Sequence, residues 1–338
     1  MNTSPFFIKP TPLQVVMLKV AAALLPGIIA LTWAFGVGVL VQIALALGTA
    51  LLAEAACLKL RNYPIKPFIC DGSAAVTAVL LALSMPPLAP WWMVVLAALI
   101  AICLAKHLYG GLGQNPFNPA MVGFAVMIVS FPAQMSRWAA PLPLDMPHLD
   151  SLAQIITIFS GQLPQAFDAM ASATPLDTVK TALLQQHALS DIFQQPIFGA
   201  VAGVGSEWAV AGFLLGGLYL LWSKLIPWQI PVGFLAAFML TATLFYGLDP
   251  SHYSPPWFHL FSGAAILGAF FIVSDPVTAP TTPRGRLIFA ALAGVLTYMI
   301  RVFGAYPDGV AFAVLIMNIA TPFIDQYTQP PVFGRKAK

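Results

Sequence analysis

SAAVTAVLLALSMPPLAP, residues 73–90, returns near the other end of the chain as GAAILGAFFIVSDPVTAP, residues 263–280. The two stretches share Ala74/Ala264, Ala75/Ala265, Ser84/Ser274, Pro86/Pro276, Ala89/Ala279 and Pro90/Pro280. A second pair follows in the same order: NPAMVGFAVMI (118–128) matches YPDGVAFAVLI (306–316) through Pro119/Pro307, Val122/Val310 and a common Phe-Ala-Val. Two blocks in one order at nearly one offset indicate an internal duplication. Around them, apolar runs fall at 18–35, 38–58, 72–88, 91–108, 120–132, 208–223, 228–247, 258–273, 286–303 and 309–324. At about 20 apolar residues per crossing, these are ten candidate spans. Five per half is odd, so the second half must be inverted, and inverted repeats frame a site at their broken helices near the midplane. The expected fold is an all-α polytopic membrane protein of two inverted five-helix repeats. The first repeat is 1–132 and the second 208–326, with a polar segment at 133–207 between them and a short tail at 327–338.

Composition agrees. Only 8% of the 338 residues are charged and 59% are hydrophobic, against about 25% charged in a soluble domain. The net charge of +3 comes without a basic run, which speaks against a nucleic-acid partner. Cys57, Cys70 and Cys103 are scattered, and the histidines have no ligand spacing, so no metal site is expected. His107, His187, His252 and His259 read as interfacial. The sequence holds no Walker motif, dinucleotide fingerprint or nucleophile elbow. No small-residue cleavage site follows the first apolar run, which reads as a retained span.

Lysine and arginine orient the chain. With the N-terminus inside, twelve fall on cytoplasmic segments and only Arg137, Lys180 and Arg301 outside. The segment 133–207 is then extracytoplasmic. It contains ASATPLDTVK (171–180), where Thr174 precedes Pro175 and Asp177 follows three residues on. That is a helix start: a capping hydroxyl, proline at the first helical position and an acid at the positive end of the dipole. The same geometry holds a phosphate.

Other polar groups stand out against the apolar background. Glu54 lies within the second span and is either an ion-pathway group or a partner of Lys59 or Arg61. LYGGLGQNPFNPA (108–120) is either a cytoplasmic turn or a loop dipping inward, and FGAYPDGVAF (303–312) is its counterpart. Asn115, Asn118 and Asp308 are therefore pathway candidates. Asp275 reads as a salt-bridge partner of Arg284 and Arg286. In GVGSEWAV (203–210), Gly203, Gly205 and Ser206 form either an anion-binding nest or a helix start with Glu207 at the dipole.

Through LLALSMPPLAPWW, AKHLYGGLGQNPFNPAMVGFAVMIVSFP, SDPVTAPTTPRGRLIF, RVFGAYPDGVAFAVLIMN and PFIDQYTQPPVFGR, the chain resembles the D subunit of the Rnf ion-translocating electron-transport complex. It is similar also to the B subunit of the sodium-pumping NADH:quinone reductase. The resemblance runs from about residue 60 to the C-terminus and is weak between 133 and 200 apart from the Thr174 phrase. It implies FMN attached through a phosphoester to a threonine in a motif of the form D-G-x-S/T-G-A-T. Here the motif reads DAMASAT (168–174), with Asp168, Ala173 and Thr174 in place, while Ala169, Ala171 and Ser172 depart from it. Thr174 is the implied acceptor, with Asp168, Ser172, Ala173 and Asp177 around it. The resemblance further implies a bacterial inner-membrane location, a flavin transferase acting on the outer face, and electron relay coupled to Na⁺ or H⁺ movement. The implied partners are a second covalent-FMN subunit, small membrane subunits and iron–sulfur subunits, with membrane lipid around the spans. A riboflavin site also occurs among relatives and maps to no residue here. The competing readings are a non-redox transporter or channel of urea-transporter-like architecture, and an assembly scaffold.

Overall fold

The structure is a computed structural model that describes residues 11–144, 148–162, 171–172 and 174–330. Every one of the ten apolar runs is helical. The principal helices are α1 (Leu13–Phe35), α2 (Gly38–Leu60), α3 (Ser73–Ser84), α4 (Trp91–Leu99), α5 (Pro119–Ser130), α6 (Ser151–Ser160), α7 (Pro175–Leu184), α8 (Ser206–Trp222), α9 (Gln229–Leu248), α10 (Pro256–Phe261), α11 (Pro283–Phe303) and α12 (Val310–Thr328). Two strands, β1 (Trp138–Ala139) and β2 (Ala171–Ser172), pair antiparallel with Trp138 opposite Ser172.

By length and composition, α1, α2, α9, α11 and α12 can cross a bilayer. α3 and α5, with 12 residues each, reach only about 18 Å at 1.5 Å per residue, little more than half of an apolar layer of about 30 Å. The eighth apolar run is broken into α10, a short turn at Ala265–Leu267 and a π-helical segment at Gly268–Ile272. A second π-helical segment, Ile100–His107, continues α4. Such wide turns concentrate at functional positions, because they rotate the following side chains out of the regular helical register.

Local chemistry explains where the helices start. α5, α7 and α11 each begin with a polar cap followed by proline: Asn118-Pro119, Thr174-Pro175 and Thr282-Pro283. The cap side chains accept from the N–H of Met121 (3.2 Å), Asp177 (3.3 Å) and Gly285 (3.0 Å). Each satisfies one of the unpaired first-turn donors, and the proline sits where an N–H would be unpaired anyway.

Packing is backbone to backbone at the centre. On α8, Gly212 and Gly216 lie against the main chain of α1 at Pro26–Gly27 and Ala23, and a Cβ at either would collide with it. This small-xxx-small spacing is the membrane solution for close helix approach, since apolar burial supplies no force between helices in lipid. α9 packs along α11, and α5 meets α12. There, Asn118 N–H donates to Asn318 Oδ1 (3.0 Å) and Asn318 Nδ2 donates to the Thr278 carbonyl (3.3 Å).

Candidate functional site

Thr174 caps α7 with extended backbone angles (φ −61°, ψ 153°), as its sequence context predicts. The segment before it is held by β2 against β1. Asp168 and Ala173 lie outside the described residues, and only the backbone of Ser172 belongs to them. One turn along α7, the Lys180 ammonium donates to the carbonyls of Arg301 (3.3 Å), Gly304 and Tyr306 (3.1 Å) at the end of α11. A lysine on the last carbonyls of a helix satisfies groups that have no partner within the helix. Thr174 is thus pinned on two sides, by a strand pair and by a lysine anchor.

The threonine opens on a cavity of about 200 Å³. Its walls are apolar and aromatic, with Phe35 from α1, Phe124 from α5, Trp138 from β1 and Phe213 from α8. The polar residues Thr174, Ser84, Ser206 and Asp308 also line it. Such a space takes a flat apolar ring, while the first turn of α7 places the positive end of its dipole at the hydroxyl, whose oxygen already accepts from the Asp177 N–H.

Burial raises the Asp177 carboxyl above its ordinary value, partly opposed by the Lys180 charge, and burial lowers Lys180. For Asp177, desolvation therefore outweighs the favourable end of the dipole. A raised folded-state value means that the folded helix holds the proton more tightly than the unfolded chain. Stability from this group is present below about pH 3.8, the ordinary Asp value, and is lost as pH rises through the folded value. Asp177→Asn should remove that slope. Hydrogen exchange of α7 amides, compared between variant and parent at pH 4 and pH 7, checks it: the parent should lose protection relative to the variant as pH rises.

Asp308 also lines the cavity. Its carboxylate accepts from Arg301 Nη2 (3.2 Å), the Ala264 N–H (2.6 Å) and the Val310 N–H (3.3 Å). Gly263 has φ +65°, and a Cβ there would strike the Asp308 carboxylate and come within 3.1 Å of Arg301 Nη2. Gly263→Ala combines a left-handed penalty of about 1–2 kcal/mol with that collision. Its expected result is a lowered thermal midpoint and a loosened α10–α11 junction, read by unfolding in detergent.

Glu54 belongs to a different cluster. Its oxygens each lie 2.8 Å from Lys106 Nζ, which also donates to Ser73 Oγ (2.9 Å) at the start of α3. His107 Nε2 lies 3.3 Å from Glu54, and Arg61 Nη1 lies 3.3 Å from His107 Nδ1. An arginine only donates, so Nδ1 accepts and the imidazole proton sits on Nε2, toward Glu54. The expected pairing with Lys59 or Arg61 is replaced by Lys106 and His107, because the π-helical segment turns both inward.

Three other expectations change. Asp275 makes no ion pair among the described residues; it accepts from the Val277 N–H (3.1 Å) and Thr278 Oγ1 (3.2 Å) in its own turn. The Gly203–Ser206 nest is not formed, because Glu207 folds back to accept from the N–H groups of Val201 (2.7 Å) and Ala202 (2.6 Å). His107 and His259 are buried rather than interfacial. Asn118 is consumed in the α5–α12 staple, and Asn115 Nδ2 closes a local turn on the Phe117 carbonyl (3.0 Å). Glu54, Asn118 and Asp308 therefore occupy three separate networks.

Sequence reasoning missed Lys106 and Arg301 as interior groups. It assigned them to the cytoplasmic and outer faces although both fall within the apolar runs 91–108 and 286–303, and they are 2% and 3% exposed. The rule that an ionisable residue within a span is functional by default applies to both. It also missed Gly212-x-x-x-Gly216, whose small-residue spacing is explicit.

The NQR2, RnfD, RnfE family model matches residues 1–334. The chain is 54% identical over 345 aligned positions to the D subunit of the ion-translocating oxidoreductase complex of Yersinia pseudotuberculosis serotype O:1b (strain IP 31758), covering 99% of this chain and 98% of the relative. The protein of the same description from Aeromonas salmonicida (strain A449) is 51% identical, with 99% of each chain covered. That of Salmonella paratyphi B (strain ATCC BAA-1250 / SPB7) is 53% identical, with 95% and 94% covered.

Proposed function

Because the chain belongs to the NQR2, RnfD, RnfE family, we propose that it is the D subunit of an Rnf-type ion-translocating oxidoreductase complex in the bacterial inner membrane. In this reading it carries FMN on Thr174 as an electron relay. The observation that carries the reading is the position of Thr174: a capping hydroxyl at the start of α7, on the rim of an aromatic-lined cavity. A phosphodiester on Oγ1 retains one negative charge, which the first-turn N–H groups of α7 and its dipole stabilise. The apolar walls would exclude water from the ring, and Lys180 and the β1–β2 pair would hold the attachment point. When bound, FMN supplies the redox chemistry by taking up and passing on electrons; the protein supplies placement and electrostatics.

The flavin would face the periplasm, where its transferase works. Supporting this, with Lys106 and Arg301 now interior, the lysine and arginine bias is still eleven inside against two outside. The inverted-repeat reading is supported by the recurrence of packing partners, α2 with α4 in the first half and α9 with α11 in the second. The partners are the complex's second covalent-FMN subunit, small membrane subunits and iron–sulfur subunits, and electron relay is coupled there to Na⁺ or H⁺ movement. A solute channel is disfavoured, because buried Glu54 and half-buried Asp308 are already held by cationic side chains.

Ultraviolet fluorescence of the denatured band tests the proposal. Protein made alongside its flavin transferase should fluoresce in the gel. A dark band under those conditions would hand the chain to the transporter or scaffold reading.

A further inference from the structure

Behind Asp308, five side-chain atoms are sealed from solvent without a hydrogen-bond partner among the described residues: His259 Nδ1 and Nε2, Ser262 Oγ, Tyr298 Oη and Arg301 Nε. His259 is 5% exposed, Ser262 1%, Tyr298 0% and Arg301 3%. Each such atom is costly to bury unpaired, so a group of them in one place needs an explanation.

They are neighbours. The His259 and Tyr298 rings lie 5.1 Å apart, and both border Phe238. Arg301 stacks 5.1 Å over Phe238 while its Nη1 donates to the His259 carbonyl (2.5 Å). Ser262 immediately precedes Gly263 at the cavity wall. At one end, Arg301 Nη2 reaches Asp308, which faces the cavity. At the other, Tyr298 packs on Phe245 (5.4 Å) and Phe245 on Tyr253 (5.1 Å), a half-buried residue beside exposed Asp249 and His252. The unpartnered polar groups thus run from Tyr298 to Arg301, beside Asp308 at the cavity, and at the Tyr298 end the Phe245 ring lies between them and Tyr253 of the loop after α9.

The chemistry of the row selects its occupant. A metal cation is repelled by the Arg301 guanidinium, and the carboxylate that might hold one, Asp308, already accepts from three donors. The unpartnered atoms mix donors with acceptors: one of each on a neutral imidazole, both on each hydroxyl, and a donor on Arg301. Water matches that mixture, making about three hydrogen bonds to buried groups of this kind.

We propose that His259, Ser262, Tyr298 and Arg301 hold a short chain of ordered water that conducts protons between the loop after α9 and Asp308 at the Thr174 cavity. A proton entering at the loop end is matched by one leaving at the cavity end. Only O–H and N–H bonds exchange, and no charge accumulates. The purpose rests on the flavin reading, since flavin reduction at the cavity takes up protons; the water chain itself does not. The charged and titratable groups facing His259 are Arg301 and Tyr298 of α11, Asp308 beyond it and Tyr253 from the loop. Lys180 of α7 acts through the Arg301 carbonyl.

Tyr298→Phe removes one hydroxyl and keeps the ring. In a dry site it relieves an unpaired group and raises the thermal midpoint; on a water chain it breaks hydrogen bonds, and the midpoint falls by a few degrees. A rise overturns the proposal whether or not flavin is bound. In the assembled complex, proton uptake from the outer solution on reduction, followed with a pH-sensitive dye, should slow by about tenfold or more in Tyr298→Phe and His259→Leu. In-gel flavin fluorescence should be unchanged, so loss of flavin is told apart from loss of proton delivery. Parental uptake rates in both variants with flavin retained would also overturn it.

Discussion

Thr174→Val is expected to abolish covalent flavin while leaving a folded, membrane-inserted protein. Valine keeps the branched shape at the start of α7 and removes the only atom that can form the phosphoester. The structural loss is one cap bond, from the Asp177 N–H to Oγ1 (3.3 Å), worth about 1 kcal/mol. That is too little to undo a core in which α1 and α8 interlock through glycines and α5 is stapled to α12. Electron transfer through the complex should collapse, because the proposed relay is lost with the flavin. Thr178→Val is the control: Thr178 lies one turn on and its backbone N–H bonds the Thr174 carbonyl (2.8 Å), so its fluorescence should match the parent. Fluorescence retained in Thr174→Val would move the attachment to another residue.

The second large effect is expected at Glu54. Glu54 and Lys106 are each 2% exposed, and removing one partner leaves the other charge buried and uncompensated, at about 3–5 kcal/mol. Glu54→Gln and Lys106→Met should each lower stability by that order in denaturant unfolding. The double variant should recover much of it, because a neutral pair of similar volume has no charge to desolvate. Additive losses would show that the two groups act independently. Flavin loading should stay near the parental level in Glu54→Gln, since Thr174 is held by α7, β2 and the end of α11. Coupled ion movement should fall, and normal coupling would return Glu54 to a purely structural role.

The fold was legible where polarity changed sharply. Ten apolar runs became largely helical segments, and the cap at Thr174 marked its helix start to the residue, because a polar side chain before proline has one favourable local use. What the pattern could not show was which way a charge near the end of an apolar run faces. Lys106 and Arg301, inside the runs 91–108 and 286–303, read as charges at the membrane faces and His107 as interfacial, and all three proved to be buried. A π-helical segment or an anchoring carbonyl can carry a cation inward at a cost that tertiary partners offset, and those partners lie 52 residues away for Lys106 and 42 for Arg301. The Thr174 cap was likewise local and readable. The cavity beside it was not, since its walls come from α1, α5, β1 and α8. The anion nest at 203–206 failed for the opposite reason: Glu207, four residues beyond Gly203, folded back and took the nearby donors itself.

The central claim is a phosphoester between FMN and the Thr174 oxygen. Trypsin cleaves after Arg137 and Lys180, so residues 138–180 form one peptide that contains Thr157, Thr174 and Thr178. Mass spectrometry of that peptide, from protein made with its flavin transferase, should show the mass of FMN less one water, and fragmentation should place it on Thr174. An unmodified peptide, or the added mass on Thr157 or Thr178, would contradict the account.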